Sequence, residues 1–372
     1  MRHIHISLVG GQTEPIYSMI RILAPDEVIL ICSEKSHEEA MDVTNLINSS
    51  KMSVKLKTMS PSDLKSINED IETLKASLNE DDVLTINLVG GTKFWSLSFY
   101  KMFADRPNTH FFLLDQNKVF WNLNNNLSFT TDALDIDTIL ALYGNELTSY
   151  RSIEDYNEED DESLKLIEKI RNTRRFYSAF KNLATTICPD FQEQLIGCEN
   201  GIFDDNRGNS ISWGKPDIVD ISFGNSSYSL SSPNAVALTF NSGWFEFKVA
   251  RLIEGWDKAT DIRLNCIFSS SLGYTKNEVD IIVNTDRKPL FVECKTKLYN
   301  STDIDKFSTV VKNYGGASCK AVFITEKPMN DLQATKCKDS GIDCFCLENH
   351  NANSLRKDLY TFLDRIILEI NK

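Results

Sequence analysis

The stretch NEVDIIVNTDRKPLFVECKTK, residues 277–297, holds two apolar runs, 279–284 and 289–294, separated by the polar tetrad Thr285, Asp286, Arg287 and Lys288. The runs are rich in Val, Ile and Phe and the break carries turn residues, so the spacing predicts a β-hairpin. With the tetrad as its loop, Asn284 faces Pro289, Asp280 faces Glu293 and Glu278 faces Lys295. Side chains alternate along a strand, so these four polar groups project from one face, with directly opposed Cβ atoms about 5 Å apart.

Two carboxylates that close repel each other unless a positive charge lies between them. A divalent ion such as Mg²⁺ or Mn²⁺ suits hard oxygen donors, which makes Asp280 and Glu293 candidate metal ligands. Lys295 would set an ammonium beside the same point, able to orient the attacking water and offset charge at a phosphate. The competing reading is a solvated acidic face on an exposed hairpin. A lone E-x-K is common, whereas the full E-x-D…E-x-K spacing is not. Everything hangs on register, because a bulge or a different loop would slide the pairs.

At 372 residues the chain has room for two domains and a connector, and its 41% hydrophobic and 25% charged residues match a globular protein. No run approaches the length of a membrane span, and the opening MRHIHISLVGG enters a strand without the layout of a signal peptide. Nine cysteines, scattered from Cys32 to Cys346, form no framework of paired spacings, which fits a reducing cytoplasm. The net charge of −13 argues against coating nucleic acid by bulk attraction. It leaves room for a nuclease whose positive charge is confined to a groove or supplied by a metal.

The first 122 residues alternate between strand and helix: strands at 3–10, 27–32, 54–58 and 83–89, helices at 16–23, 37–49, 62–78 and 94–102, then a closing hairpin at 110–115 and 118–122. Such alternation predicts a mostly parallel sheet with helices on both faces. Two glycine pairs fall where a strand ends and a helix begins. Gly10 and Gly11 lead into Gln12 and Thr13; Gly90 and Gly91 lead into Thr92 and Lys93. Ligands bind at that edge of an open α/β sheet, where glycine admits a close backbone approach and free helix-start N–H groups favour phosphate. Neither loop matches the Walker or dinucleotide fingerprint, and each read alone is also a plain tight turn.

The leading strand with GGQTEP and the later NLVGGTK, residues 87–93, resemble the signature loops of CARF domains, the CRISPR-associated Rossmann-like sensors. The resemblance covers about residues 1–145. It implies that Gly10, Gly11, Gln12, Thr13, Gly90, Gly91, Thr92 and Lys93 contact a cyclic oligoadenylate across the two-fold axis of a homodimer.

Residues 154–162, EDYNEEDDE, carry seven acids and read as a solvated linker or an acidic helix start. A helix with a basic tilt (Lys165, Lys169, Arg171, Arg174, Arg175, Lys181) follows over 163–184, facing nucleic acid or balancing the acids before it. Residues 201–241 are loop- and strand-rich. Gly243 begins the helix GWFEFKVARLIEGW, with Glu246 in its first turn, where a lone Glu also suits the helix dipole. Next come a strand at 262–268, the hairpin, a helix at 302–313, a strand at 320–325, a helix ending at 339, a strand at 343–347 and a helix at 354–370. A helical Glu joining Asp and E-x-K in this order resembles the PD-(D/E)xK, restriction-endonuclease-like fold.

The expected architecture is thus α/β: a Rossmann-like CARF domain at 1–145, an acidic linker and connecting helix at 146–185, and a restriction-endonuclease-like domain at 186–372. Together the two halves resemble the ancillary nucleases of type III CRISPR antiviral defence that cyclic tetra-adenylate activates. That resemblance implies a homodimer cutting single-stranded DNA, RNA or both, or plasmid DNA, with Mn²⁺ or Mg²⁺. It makes Asp280 and Glu293 the metal ligands, Lys295 the lysine that acts at the phosphate, and Glu246 and Glu278 supporting carboxylates. The alternative is a ligand-sensing transcription regulator without nuclease activity, with residues 163–190 on DNA. A sensor domain that degrades its own ligand ranks last, because neither glycine loop carries an evident acid–base pair.

Overall fold

The computed structural model describes residues 1–47, 52–172, 200–204, 208–214, 217–240, 243–269, 277–285, 288–316 and 318–368. In the first half, β1 (His3–Leu8), α1 (Glu14–Leu23), β2 (Glu27–Cys32), α2 (His37–Ile47), β3 (Ser53–Thr58), α3 (Leu64–Ala76), β4 (Val83–Asn87), α4 (Lys93–Phe103) and β5 (Thr109–Leu114) alternate as the spacing requires. The hairpin of β5 with β6 (Val119–Asn122) is extended by a short β7 (Ser128–Thr130), giving the order β3-β2-β1-β4-β5-β6-β7. The first five strands are parallel. VILIC in β2 is buried throughout because helices cover both of its faces. One core lies beneath α3 and α4, the other beneath α1 and α2. Strand order reverses at β1, between β2 and β4, so the two glycine loops emerge at the switch point of the sheet.

Helix α5 (Ile136–Ala141) leads to β8 (Leu147–Ser152), a strand inside the stretch assigned from sequence to the linker. LTSYRS is half exposed and half partly buried and carries little apolar alternation, as an edge strand can, which is why its pattern did not announce it. β8 pairs antiparallel with β13 (below) and so belongs to the second sheet. In α6 (Glu158–Asn172) the acidic run supplies the first turn, where negative charge suits the helix dipole, and Leu164, Ile167 and Ile170 are buried in the C-terminal core. Lys165 pairs with Glu162 and Arg171 with Glu326, so these members of the basic tilt face acids of the same chain. The rest of the helix expected over 163–184, with Arg174, Arg175 and Lys181, lies outside the described residues.

The strand-rich excursion is a four-stranded antiparallel sheet of β9 (Gly201–Asp204), β10 (Asn209–Gly214), β11 (Ile218–Phe223) and β12 (Ser226–Ser231). After the helix Gly243–Glu254 come β13 (Ala259–Phe268), β14 (Asn277–Thr285) and β15 (Leu290–Lys295) as an antiparallel meander, then the helix Thr302–Tyr314, β16 (Lys320–Thr325), the helix Asp331–Asp339 and β17 (Ile342–Cys346). β15, β16 and β17 are parallel, and the sheet runs β17-β16-β15-β14-β13-β8. The helices Gly243–Glu254 and Leu355–Leu368 cover one face and Thr302–Tyr314 and Asp331–Asp339 the other, as the αβαβ pattern requires. The two halves are tied by side chains: both terminal guanidinium nitrogens of Arg263 donate to Asp137, and Asn284 donates to the carbonyl of Leu134.

Candidate active site

The hairpin adopts the register expected from its sequence: Ile281 pairs with Val292, Ile282 with Phe291 and Val283 with Leu290. Its turn is closed by Thr285, whose hydroxyl donates to the carbonyl of Lys288 and accepts from the amide of Lys288. Asp286 and Arg287 of the polar tetrad lie outside the described residues. Beyond Ile281 the pairing ends, and the amide of Cys294 instead donates to Asp280 Oδ2 at 2.7 Å. That bond holds one carboxylate oxygen against the backbone of the opposite strand.

Lys295 draws the set together. Its Nζ lies 2.7 Å from Glu293 Oε1 and 3.4 Å from Asp280 Oδ2, so an ammonium stands between the two facing carboxylates. The sequence places this ammonium beside the point shared by Asp280 and Glu293, and there, among partly buried charges, attraction is screened less than at the surface. Glu278 itself is exposed and pairs with Ile267 across β13 and β14. Glu246, in the first turn of its helix, is only 8% exposed and accepts a 2.8 Å hydrogen bond from Asn265 Nδ2. It is close enough to feel the charges of Asp280, Glu278 and Lys295.

Burial dominates the electrostatics. It pushes Glu246 well above the usual carboxylate range, and Asp280 and Glu278 push it further. Burial also raises Asp280, against the pull of Lys295 and the Cys294 amide. Glu293 is pushed up to about 8, by burial first and Asp280 second. For Lys295 burial acts downward, but Asp280 and Glu293 outweigh it and hold the ammonium charged. One lysine is thus too little positive charge for three close carboxylates. A divalent cation bound by hard oxygen donors fits that deficit, with Asp280 and Glu293 as its carboxylates. Among the described residues, no group of three or more His, Cys, Asp or Glu side chains is arranged about a single metal position.

In the N-terminal half the two glycine loops touch. A methyl group on Gly10 would lie 2.9 Å from the amide nitrogen of Gly91, and one on Gly90 would lie 2.0 Å from the carbonyl oxygen of Leu8. Gly91 has φ +70°, which favours glycine on its own account. Gly11, Gln12 and Lys93 are exposed at this edge. Two hydroxyls of these loops bond within the chain. Thr13 is fully buried and its hydroxyl donates to the carbonyl of Leu142, bracing the loop, while the Thr92 hydroxyl accepts from the amide of Trp95 and caps α4. Just beyond, Glu14 accepts from Tyr143 Oη at 2.8 Å and from Ser318 of the C-terminal half. A cavity of about 340 Å³ lies between the halves, lined by Gln12 and Glu14 on one side and Thr285, Lys288 and Ser318 on the other.

Asn265 and the Cys294 amide were missed from sequence. Asn265 sits in a strand with no motif spacing to Glu246, and a backbone amide leaves no trace in side-chain identity. Among the described residues no helix is long and apolar enough to cross a membrane, and all seven described cysteines are unpaired.

A family model of the Card1 CARF domain matches residues 4–141. No curated protein matches the sequence significantly. Can2 from Sulfobacillus thermosulfidooxidans, solved in complex with cyclic tetra-adenylate, is 18% identical, with a TM-score of 0.66 over 98% of this chain and 99% of its own. Protein VC1899 from Vibrio cholerae is 17% identical, with a TM-score of 0.67 over 98% of each chain. A type III CRISPR defence DNA nuclease activated by cyclic oligoadenylate is 16% identical, with a TM-score of 0.56 over 98% of this chain and 53% of its own. These likenesses extend across both halves and concern the fold. Over residues 4–141 the chain is thus similar in sequence to the Card1 CARF domain, and over both halves it shares its fold with these structures.

Proposed function

We propose that the chain is a nuclease of type III CRISPR defence, gated by a cyclic oligoadenylate and dependent on Mn²⁺ or Mg²⁺. The observation that carries this reading is the cluster of buried Asp280 and Glu246 with partly buried Glu293 and Lys295, in the same chain as a stretch that matches the Card1 CARF domain. The substrate is a nucleic-acid backbone phosphate. Lys295, held beside both carboxylates, orients the attacking water and offsets charge developing on the phosphate oxygens. Asp280, pinned by the Cys294 amide, and Glu293 hold the divalent cation, with Glu246 and Glu278 as supporting carboxylates. When bound, the cation supplies Lewis-acid activation of water and phosphate.

Single-stranded DNA or RNA suits the surroundings. Two and four residues beyond Lys295, Lys297 Nζ lies 5.2 Å from the ring of Tyr299, which is 72% exposed. A cation beside a solvent-exposed aromatic ring is the pairing that holds single strands through phosphate and stacked base. The activator is cyclic tetra-adenylate, bound at the edge formed by Gly10, Gly11, Gln12, Gly90, Gly91 and Lys93. Its two-fold symmetry matches a homodimer. The α4 face beside the second loop exposes Phe94, Leu97 and Tyr100, an apolar surface that a second copy would cover.

The test is cleavage of labelled single-stranded DNA, single-stranded RNA and supercoiled plasmid with Mn²⁺, with and without cyclic tetra-adenylate, beside Glu293→Ala. Cleavage that requires both ligand and metal and disappears in the variant is expected. Ligand binding with no cleavage of any substrate would refute the nuclease.

A further inference from the structure

Asn265 has φ +51°, a left-handed conformation in the middle of the ten-residue strand β13. Left-handed backbone is uncommon for a non-glycine residue, and in a strand interior it marks a local irregularity that neighbouring structure must maintain. Two further observations locate that irregularity. Leu264 pairs with Ile281 and Cys266 with Val279, which sets Asn265 abreast of Asp280. On the other edge, the register with β8 slips between Leu264–Arg151 and Ile267–Ser149, as a bulge requires.

The consequence shows in the cores. Residues two apart in a regular strand share a face. Ile262 and Leu264 belong to the core beneath the helix Gly243–Glu254, yet Cys266 and Phe268 belong to the core on the opposite face. β14 makes the same change around Asp280, with Ile281 in the first core and Val279 in the second. Both strands therefore exchange faces at the row that contains Asn265 and Asp280. The exchange lets the Asn265 amide reach the helix and donate to Glu246 Oε2 at 2.8 Å.

We propose that Asn265 is a positioning residue of the nuclease site: its bulge places the amide, and the amide holds the Glu246 carboxylate beside Asp280. This rests on the nuclease reading above. An amide N–H presents hydrogen to the carboxylate and so favours an oxygen that accepts. It also fixes the side-chain torsion of a Glu whose neighbours Phe245 and Phe247 are packed in the core. Outer partners of this kind are worth about 10–100-fold in metal affinity or activity.

Glycine tolerates the same φ without an amide, so Asn265→Gly separates the side chain from the bulge. The experiment measures Mn²⁺ uptake by electron paramagnetic resonance and single-turnover cleavage in the full-length protein. Its four forms are wild type, Asn265→Gly, Glu246→Ala and the double variant. Asn265→Gly is expected to keep the melting temperature, to weaken Mn²⁺ uptake and the cleavage step about tenfold or more, and to add nothing in the Glu246→Ala background. Wild-type behaviour of Asn265→Gly would overturn the proposal, leaving only a backbone role. Equal losses in the wild-type and Glu246→Ala backgrounds would overturn the route through Glu246. Failure of the wild type itself to take up Mn²⁺ or cleave would overturn the nuclease reading and this proposal with it.

Discussion

Neutralising Glu293 should change how the stability of this protein depends on pH. Burial, and then Asp280, push this carboxyl from an ordinary value of 4.5 up to about 8. An acid with a raised folded-state pKa keeps its proton longer when folded, so between pH 4.5 and 8 the folded protein binds more protons than the unfolded chain. Its contribution is fully present below pH 4.5 and is lost as pH rises toward 8. At about 1.4 kcal/mol per pH unit the whole interval is worth roughly 5 kcal/mol, of which about 3 kcal/mol is already lost at pH 7. The assay is urea unfolding of wild type and Glu293→Gln from pH 5 to pH 8 in chelator-treated buffer. Wild type should lose about 3–4 kcal/mol more than the variant across that range. Mn²⁺ added at pH 8 should restore stability to the wild type and much less to Glu293→Gln, since a ligand stabilises only the state that binds it. Parallel pH profiles for the two proteins would refute the claim that Glu293 is strained by burial and by Asp280.

Gly90→Ala puts a methyl 2.0 Å from the Leu8 carbonyl, so the loop must move at a cost of about 1–3 kcal/mol; calorimetry should show loss of cyclic tetra-adenylate binding, and unchanged affinity would exclude the loop from the ligand site. Glu14→Ala removes the bonds to Tyr143 and Ser318; ligand affinity should hold while ligand-stimulated cleavage drops about tenfold, and an unchanged stimulation ratio would argue against this route between the halves. Tyr299→Ala should raise KM for single-stranded oligonucleotides about tenfold, in line with 1–3 kcal/mol per stacked base, and Tyr299→Trp should restore it; a KM equal to wild type would sink the stacking role. Leu97→Asp, at a site 71% exposed, should shift the particle mass in light scattering from dimer to monomer, and a persistent dimer would place the interface elsewhere.

The α/β class and the hairpin register were legible in the amino-acid order, because they follow from local periodicity. VILIC is apolar throughout, as a strand covered on both faces requires, and NEVDIIVNTDRKPLFVECKTK, with its polar tetrad as the loop, gathers Asp280, Glu293 and Lys295. The glycine pairs likewise announced the close approach of two loops at the strand-to-helix edge, since glycine there admits backbone against backbone. What the tertiary structure decided is whatever depends on contacts between segments distant in sequence. β8 is a strand because the free edge of β13 receives it, not because LTSYRS alternates. Thr13 bonds to the carbonyl of Leu142 because α1 packs against that later segment of the same domain. The raised carboxyls of Glu246 and Glu293 follow from burial, and burial is a property of the assembled sheet and helices rather than of any one strand. Asn265 meets Glu246 only through a bulge that exchanges the faces of two strands, and no sequence period carries such an exchange.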